Sequence, residues 1–524
     1  MGEKIIVVGS GPASVACARA LVDKGMEVTM LDAGVDLEPA RQELVDRMRV
    51  APFEGWGPES IAVLKESAGA TTTGLPMKRL YGSDFPYREV PTIQAERATT
   101  FSSFARGGLS NVWGAAVLPY LPTDISDWAI APDALSEAYK AVFKFVPLSA
   151  KRDDLEEMFP LHSETYAALR PSRQAEDVLE TMNRHRDRLR ERGFVFGTSR
   201  VAVQAEPTAR NAKGCTYCGL CMYGCPYDLI YKSPQSLDAT SDKIHYVPNV
   251  VVDRVEEIKG KVVVHAHGLH DKNPLEYKAD RVFLGCGVLQ TAKVMLQSLD
   301  ATSHALTLRD SQYFLLPVVG LRGGGNAQTE RLHTLSQLFL ELVDHEISAH
   351  PVHMQMYTYN DLYLDAMKSM LGSAFKFALM PAGLMLSRLM VLQGYLHSNL
   401  SPTGTVSLRD GHLHVEQNEI PKKTTAIVSA VVGKLTRNSK QLGFMPIAPM
   451  LKTGHLGTGA HSGGTFPMRG KPGRFETDTL GRPSGFKRLH LIDSSVLPSI
   501  PATTITLSVM ANAYRIGGAA YGDQ

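Results

Sequence analysis

The sequence predicts a mixed α/β fold in which a parallel sheet and an antiparallel sheet are combined with helices. The chain begins with a short β-branched run, Ile5–Val8, which leads through a glycine turn into a segment with helical spacing. Short alternating runs within residues 244–284, among them Arg281–Leu284, are typical of a small antiparallel meander. Two more alternating segments, residues 337–342 and 352–359, suit a second sheet that forms the wall of a cavity.

The composition excludes two broad classes of protein. The 524 residues include 55 Lys and Arg against 53 Asp and Glu, and this balance argues against a nucleic-acid binder. A hydrophobic content of 44% excludes general disorder. The length is sufficient for roughly three domains of about 150 residues each. The first apolar run is too short for a signal peptide, so a cytoplasmic location is expected.

The first 33 residues carry the pattern of a dinucleotide-binding βαβ unit. Gly9 permits a tight turn after the first strand, and Gly11 lets a pyrophosphate approach the N-terminus of the following helix. Ser14 occupies the third position of the motif, where glycine is usual, and Asp32 ends the second strand at the distance expected for a ribose contact. FAD fits this start at least as well as NAD. The residues expected to bind the cofactor here are Gly9, Gly11, Pro12, Ala13, Ser14, Asp32 and Ala33.

Four further segments resemble one family in chain order. Residues 106–114 (R-G-G-L-S-N-V-W-G) form a glycine-rich loop, and residues 283–298 (F-L-G-C-G-V-L-Q-T-A-K-V-M-L-Q-S) follow a strand. Residues 461–468 read H-S-G-G-T-F-P-M, and residues 491–498 read L-I-D-S-S-V-L-P. Together with the N-terminal unit, these segments make the chain similar to the glucose–methanol–choline (GMC) oxidoreductases.

The resemblance implies FAD bound in an extended form by a Rossmann-like domain that is interleaved with a substrate domain. The FAD-binding domain would use residues 1–120, 240–305 and 450–524, and the substrate domain residues 121–239 and 306–449. The substrate domain would rest on an antiparallel sheet with helices. The further cofactor-binding residues that the resemblance implies are Gly108, Asn111, Trp113, Gly114, Val252 and Asp493.

His461 is the expected catalytic base, because it opens the H-x-x-G-T-x-x-M segment and a histidine titrates near neutral pH. His455 is the rival, since it also precedes a Gly-Thr pair. The family usually has a second His or Asn after the turn that carries the D-x-S sequence, which is residues 493–495 here and is called the D-x-S turn below. Counting forward reaches Thr504, and a shifted alignment reaches Ala502 or Thr503. A threonine hydroxyl forms hydrogen bonds but is no base at neutral pH.

Four of the six cysteines lie within eleven residues, in the spacing C-x2-C-x2-C-x3-C-P of bacterial ferredoxins. This spacing predicts an iron–sulfur cluster, 4Fe–4S or 3Fe–4S, in a loop at residues 211–230. Zinc and a role as structural thiols or a disulfide pair remain alternatives. The other two cysteines, at positions 17 and 286, are expected to pack in the core. The expected metal ligands are Cys215, Cys218, Cys221 and Cys225.

The leading hypothesis is an FAD-dependent dehydrogenase that oxidises an alcohol on a sugar, polyketide-like or steroid-like molecule. As the resemblance implies, a hydride would pass to flavin N5, and a cluster would relay electrons to a protein, quinone or oxygen. The alternatives are an oxygen-using oxidase with structural cysteines and a non-catalytic flavin or electron-transfer subunit. No nucleic-acid partner is expected. The Met-rich segment 361–400 is interpreted as helices at the mouth of the site or as a peripheral membrane contact.

Overall fold

The computed structural model describes residues 3–66, 78–209, 211–323, 327, 329–361 and 387–521. Its strands are β1 (Ile5–Val8), β2 (Val28–Leu31), β3 (Gln94–Glu96), β4 (Phe194–Thr198), β5 (Ile244–Val247), β6 (Val250–Ile258), β7 (Lys261–Gly268), β8 (Pro274–Ala279), β9 (Arg281–Leu284), β10 (Ala305–Asp310), β11 (Tyr313–Gly320), β12 (Leu338–Leu342), β13 (Val352–Tyr357), β14 (Leu389–Tyr395), β15 (Gly404–Arg409), β16 (His412–Gln417), β17 (Phe444–Pro446), β18 (Lys452–Thr453), β19 (Ser462–Gly463) and β20 (Leu489–Leu491). Its α-helices are α1 (Pro12–Asp23), α2 (Pro39–Val50), α3 (Pro58–Leu64), α4 (Ser136–Phe143), α5 (Arg173–Arg184), α6 (Arg186–Glu191), α7 (Ser233–Asp238), α8 (Val288–Ser298), α9 (Lys422–Arg437), α10 (Ser439–Leu442) and α11 (Thr506–Ala519).

A parallel sheet in the order β20-β9-β1-β2-β5 forms the first half of the fold. Its central strand β1 is fully buried, as expected for a strand that is covered on both faces. Helix α1 packs closely against α11, where a Cβ on Gly517 would lie only 2.9 Å from the carbonyl oxygen of Cys17. The predicted mixed α/β fold with a Rossmann-like parallel sheet is therefore confirmed.

The predicted meander exists, but one of its expected strands lies elsewhere. Strands β6, β7 and β8 form a three-stranded antiparallel sheet, with an irregularity between Val252 and Arg254. Arg281–Leu284, which the sequence assigned to this meander, instead joins the parallel sheet between β1 and β20. Its Val-Phe-Leu run is buried, which suits a central parallel strand better than an alternating antiparallel one.

An antiparallel sheet in the order β17-β11-β14-β13-β12-β4 forms the second half, and β18 pairs with β11 at its edge. The two strands predicted within residues 337–359 are neighbours in this sheet, β12 and β13. Apolar side chains of α5 and α9 share a hydrophobic core with one face of the sheet. Strand β13 nevertheless carries buried polar residues at alternate positions, which therefore lie on one face.

A further five-stranded sheet in the order β19-β10-β15-β16-β3 joins segments from both halves. The parallel sheet draws its strands from the three chain segments assigned to the FAD-binding domain, although the domain boundaries themselves stay a prediction. Among the described residues, no helix is both long and apolar enough to cross a membrane. Residues 362–386 of the Met-rich segment lie outside the described part of the chain, so the membrane contact stays a prediction.

Candidate functional site

The N-terminal turn has the shape that a pyrophosphate needs. Gly9 has a φ of +91°, and a Cβ there would lie 2.6 Å from the carbonyl oxygen of Gly285, so only glycine fits. Gly11 precedes α1, which has no side-chain cap, and a Cβ at Gly11 would meet open space. The first amide groups of α1, at Ala13 and Ser14 after Pro12, therefore face room for an anion. These residues fit the phosphate part of FAD.

Ser14 replaces the usual third glycine for a reason that the structure shows. Its hydroxyl lies 3.1 Å from the carbonyl oxygens of Val8 and Gly285, at the ends of two neighbouring strands. A side chain as small as serine still permits close packing of helix on sheet, and its hydroxyl ties α1 to the sheet beneath it.

Asp32 is held by two residues that the sequence did not single out. The Ser10 hydroxyl donates to Asp32 Oδ2 at 2.5 Å, and the Tyr246 hydroxyl donates to the same atom at 2.9 Å. Burial raises the Asp32 pKa to about 6, although both hydrogen bonds act against the rise. The carbonyl oxygens of Asp32 and Ala33 accept hydrogen bonds from the backbone at the start of β6. The position of Ser10 within the glycine turn could have indicated its contact with Asp32. The contact of Tyr246 could not be foreseen, because Tyr246 lies 214 residues from Asp32 in the chain.

The loop of residues 106–114 lies directly on this turn. The Gly107 amide donates to Ser10 Oγ at 2.8 Å, and a Cβ at Gly108 would lie 3.5 Å from Gly11 Cα. The Asn111 side chain donates to the carbonyl oxygens of residues 106 and 108 and thereby holds the loop in its bend. At its far end, the loop reaches the antiparallel sheet, because a Cβ at Gly114 would lie 3.3 Å from Tyr357 Oη.

Asp493 is buried and already has hydrogen-bond partners on both oxygens. Its Oδ2 accepts from the Gly287 amide at 2.9 Å and from the Thr291 hydroxyl at 2.6 Å, and its Oδ1 accepts from the Ser495 amide. Burial raises its pKa above the ordinary value. The carboxylate thus fixes the N-terminus of α8 to the D-x-S turn. Val252, on β6, is half-buried.

His461 lies beside the D-x-S turn, because the Gly464 amide donates to the carbonyl oxygen of Ser494 at 2.9 Å. Its ring stacks on Tyr395, with the centroids 4.6 Å apart and the planes 21° apart. Its Nδ1 is buried and has no hydrogen-bond partner. Burial, with a smaller effect of His353, lowers the His461 pKa to about 3, so the ring is neutral at physiological pH. The rival His455 is exposed.

A group of buried polar residues on β12 and β13 lies near Tyr395. His353 Nδ1 lies 2.6 Å from Glu341 Oε1, and both side chains are fully buried. The Gln355 amide lies 3.2 Å from His353 Nε2, and the Tyr357 hydroxyl donates to Gln355 Oε1. No pattern in the sequence indicates this pairing, because Glu341 and His353 occupy ordinary positions of two alternating strands.

Thr504 is buried, and its Oγ1 accepts a hydrogen bond from the Leu118 amide at 2.9 Å. Ala502 instead packs with Tyr313 and Tyr395, and Tyr395 stacks on His461. The Thr503 hydroxyl is buried without a partner. The role of Thr504 as the second polar residue of the site therefore stays a prediction, and its alternatives lie in the same short segment.

The four clustered cysteines line one cavity, together with apolar side chains and His333. All of them are free thiols. No three of their sulfur atoms lie within 4.8 Å of one another, although all four belong to the described residues. A tetrahedral zinc ion would hold its sulfur ligands about 3.8 Å apart, so this arrangement is too wide for a single zinc. Burial raises the pKa values of Cys215, Cys218 and Cys225 to about 12.

A second small cavity connects the cysteines with the glycine-rich loop. It is lined by Asn111 and Trp113 on one side and by Cys221 and Cys225 on the other. Lys78 also lines it and donates to the carbonyl oxygen of Trp113 at 2.7 Å. Burial lowers the Lys78 pKa to about 8, while Cys221 acts in the opposite direction. Of the two remaining thiols, Cys17 is fully buried in the hydrophobic core and Cys286 is half-buried against it, in agreement with the prediction that both pack.

Comparison with solved structures shows the same fold over the whole chain. Pyridoxine 4-oxidase from Mesorbium loti matches with a TM-score of 0.61 and 12% sequence identity, covering 100% of both chains. A variant of formate oxidase from Aspergillus oryzae, studied for its FAD modification, matches with a TM-score of 0.66 and 13% identity over 99% of both chains. Another structure of formate oxidase matches with a TM-score of 0.64 and 14% identity over 99% of both chains. No family model and no curated protein sequence matches the chain. The chain thus has the fold of two oxidases, with a parallel Rossmann-like sheet and an antiparallel sheet.

Proposed function

We propose that this protein is an FAD-dependent oxidoreductase that acts on an alcohol group. The observation that carries the proposal is a half-buried, neutral His461. It lies beside the turn that Asp493 fixes to the cofactor-binding end of the fold. The names of the similar structures agree with redox chemistry, and one of them refers to FAD. When bound, FAD would supply a two-electron acceptor for a hydride.

The protein's own residues would handle the proton of the substrate hydroxyl. A proton acceptor must be unprotonated, and the lowered pKa keeps His461 in that state at neutral pH. Tyr395 holds the ring by stacking, and the unpartnered Nδ1 leaves hydrogen-bonding capacity for a ligand. Thr504 would donate or accept a second hydrogen bond, while the buried Glu341–His353 pair would keep the sheet side of the site polar.

The cysteine cavity supports an iron–sulfur cluster as the one-electron partner. A cube holds its thiolates farther apart than a single ion does, because each sulfur binds a different iron. Because no three of the four sulfur atoms lie within 4.8 Å of one another, a 4Fe–4S or 3Fe–4S cluster would be compatible with them where a single zinc ion would not. The adjoining cavity is lined by both Cys221 and Trp113 of the glycine-rich loop, so a cluster here would face the loop expected to bind FAD.

An oxygen-using oxidase is the second candidate, because both named proteins of this fold are oxidases. In that case the cysteines would be structural. The substrate would be a small alcohol or an alcohol on a sugar, polyketide-like or steroid-like molecule, and the acceptor would be oxygen rather than a protein or quinone. A non-catalytic subunit would bind flavin without turnover.

The test is a visible spectrum of anaerobically purified protein, with flavin, iron and sulfide quantified. We expect flavin bands with a broad shoulder near 400 nm, and bleaching by at least one alcohol from a panel that includes pyridoxine, sugars and sterols. Cys218→Ser should lose iron and keep flavin, whereas the matched control Cys17→Ser should keep both. Flavin without iron, together with peroxide production, would favour the oxidase. Flavin that no alcohol bleaches would contradict the enzyme assignment.

A further inference from the structure

A second group of potential metal ligands lies apart from the cysteines. Asp124, His350 and His397 each bring one ligand atom within 4.8 Å of the other two, and within the described residues no other such group of His, Cys, Asp or Glu occurs. Asp124 lies in the turn Pro122–Ile125, His350 in the connection from β12 to β13, and His397 directly after β14. Three distant parts of the chain therefore meet at this point.

His397 has a buried ring nitrogen that forms no hydrogen bond of good geometry. Its Nδ1 accepts a hydrogen bond from the Asn399 amide at 3.1 Å, so its Nε2 is the nitrogen left for a ligand. That Nε2 is buried without a partner, and the residue is 1% exposed. The backbone of Asp124 acts on the ring, yet Nε2 makes no hydrogen bond of good geometry, so the nitrogen keeps capacity for a ligand.

The three side chains lie close enough for one ion, but the two rings would have to tilt to bind it. The rings of His350 and His397 are parallel at 3.7 Å, and His350 Nδ1 lies 3.0 Å from Asp124 Oδ1. Two imidazole nitrogens on a tetrahedral ion with bonds of about 2.1 Å are about 3.4 Å apart, whereas the ligand atoms here lie within 4.8 Å of one another and the rings are parallel. A tilt of the rings would direct both lone pairs to a shared ion. His350 is 22% exposed and gives the ion a path from solvent.

The local charges set the strength of binding. Asp124 is buried and supplies one negative charge, and the two imidazoles are neutral donors. Arg309 acts electrostatically on His397 and opposes a cation. Two nitrogens and one oxygen suit Zn²⁺, Ni²⁺ or Co²⁺ and disfavour Mg²⁺ and Ca²⁺, which prefer oxygen.

We propose that Asp124, His350 and His397 form a binding site for one divalent transition-metal ion. The ion would join the three segments next to the D-x-S turn, because the Ser398 amide donates to the carbonyl oxygen of Ile500 and the Ile500 amide donates to Ser398 Oγ. Its role is structural, since it would fix the segment that follows the turn. The site is independent of FAD and of the cysteines.

The experiment is equilibrium dialysis of the flavin-containing protein against Ni²⁺, with bound metal measured by mass spectrometry. A Cys218→Ser background reduces binding by the thiols. In this background we expect one equivalent of Ni²⁺ and a higher melting temperature in its presence. His397→Gln should raise the Kd at least about tenfold and abolish the shift in melting temperature, and the exposed control His412→Gln should change neither.

His350→Gln is a second variant for the case that His397→Gln does not fold, because its side chain is more exposed. Flavin content and circular dichroism report folding of each variant. Equal Ni²⁺ binding by His350→Gln and by the parent protein, which carries only Cys218→Ser, would overturn the proposal. Absence of a Ni²⁺ site in the parent protein at 1 equivalent would overturn it as well.

Discussion

The imidazole of His461 lies against the phenol ring of Tyr395, with ring centroids 4.6 Å apart. The pair joins the H-x-x-G-T segment to the end of β14, and so it connects the cofactor side of the molecule to the antiparallel sheet. A further 6.2 Å separates the Tyr395 centroid from that of His353. The candidate base is thus positioned by the sheet as well as by its own motif.

Replacement of His461 by Ala should leave FAD bound and lower the rate of flavin reduction roughly 10²–10⁴-fold, because the proton acceptor is removed. Stopped-flow absorbance under anaerobic conditions, with the alcohol that bleaches the flavin, measures this rate. His455→Ala is the matched control, since it lies in a similar sequence but is exposed. An unchanged rate in His461→Ala, or an equal loss in the control, would assign the base elsewhere.

Replacement of Gly9 by Ala should abolish FAD binding and destabilise the fold by about 1–3 kcal/mol. The added Cβ would lie 2.6 Å from the carbonyl oxygen of Gly285, in addition to the cost of a positive φ. Gly25→Ala is the control, because it has a similar φ of +79° but open space around it. It should cost about 1 kcal/mol and keep the flavin. Flavin content and urea unfolding distinguish the two, and an unaltered flavin content in Gly9→Ala would contradict the prediction.

The buried Glu341–His353 pair should show strong coupling. Glu341→Leu alone leaves His353 buried without its acceptor and should lower the free energy of unfolding by about 3–5 kcal/mol. The double variant Glu341→Leu/His353→Leu should lose less than the sum of the two single variants, because apolar side chains of similar size can replace a buried pair. Urea unfolding of the four proteins gives the coupling energy. Additive losses would show that the two side chains do not act as a unit.

His490 should make the stability depend on pH. Burial lowers its pKa to about 4, and the ring stacks on Phe283 with one nitrogen 2.8 Å from the carbonyl oxygen of Leu480. A histidine in the unfolded chain titrates near 6.5. The stability that the buried neutral ring contributes is therefore fully present above that pH and is lost as the pH falls towards 4. Relative to His490→Gln, the wild-type protein should lose about 2 kcal/mol between pH 7 and pH 5. Urea unfolding at both pH values measures this, and a pH-independent difference would show that the folded ring takes up a proton freely.

The parts of the site that the sequence predicted are those that a few adjacent residues define. The glycine turn at positions 9 and 11, the motif of His461 and the cysteine spacing each depend on local backbone geometry, which neighbouring residues determine. The assignment of Arg281–Leu284 to the meander was wrong because a short apolar run does not reveal its partner strand. The sequence also left open which of residues 502–504 occupies the place of the family's second His or Asn. A shift of one or two residues in this loop leaves the surrounding sequence pattern unchanged.

By itself, the sequence determined the mixed α/β fold and the residues of its N-terminal turn. Only the tertiary structure decided which polar groups meet, since Ser10 and Tyr246 reach Asp32 from opposite parts of the chain. The same holds for Glu341 with His353 and for Asp124 with two histidines more than 200 residues away. A buried polar group needs a hydrogen-bond partner. Which residue becomes that partner depends on the order of the strands and the path of the loops, and no local sequence pattern encodes either.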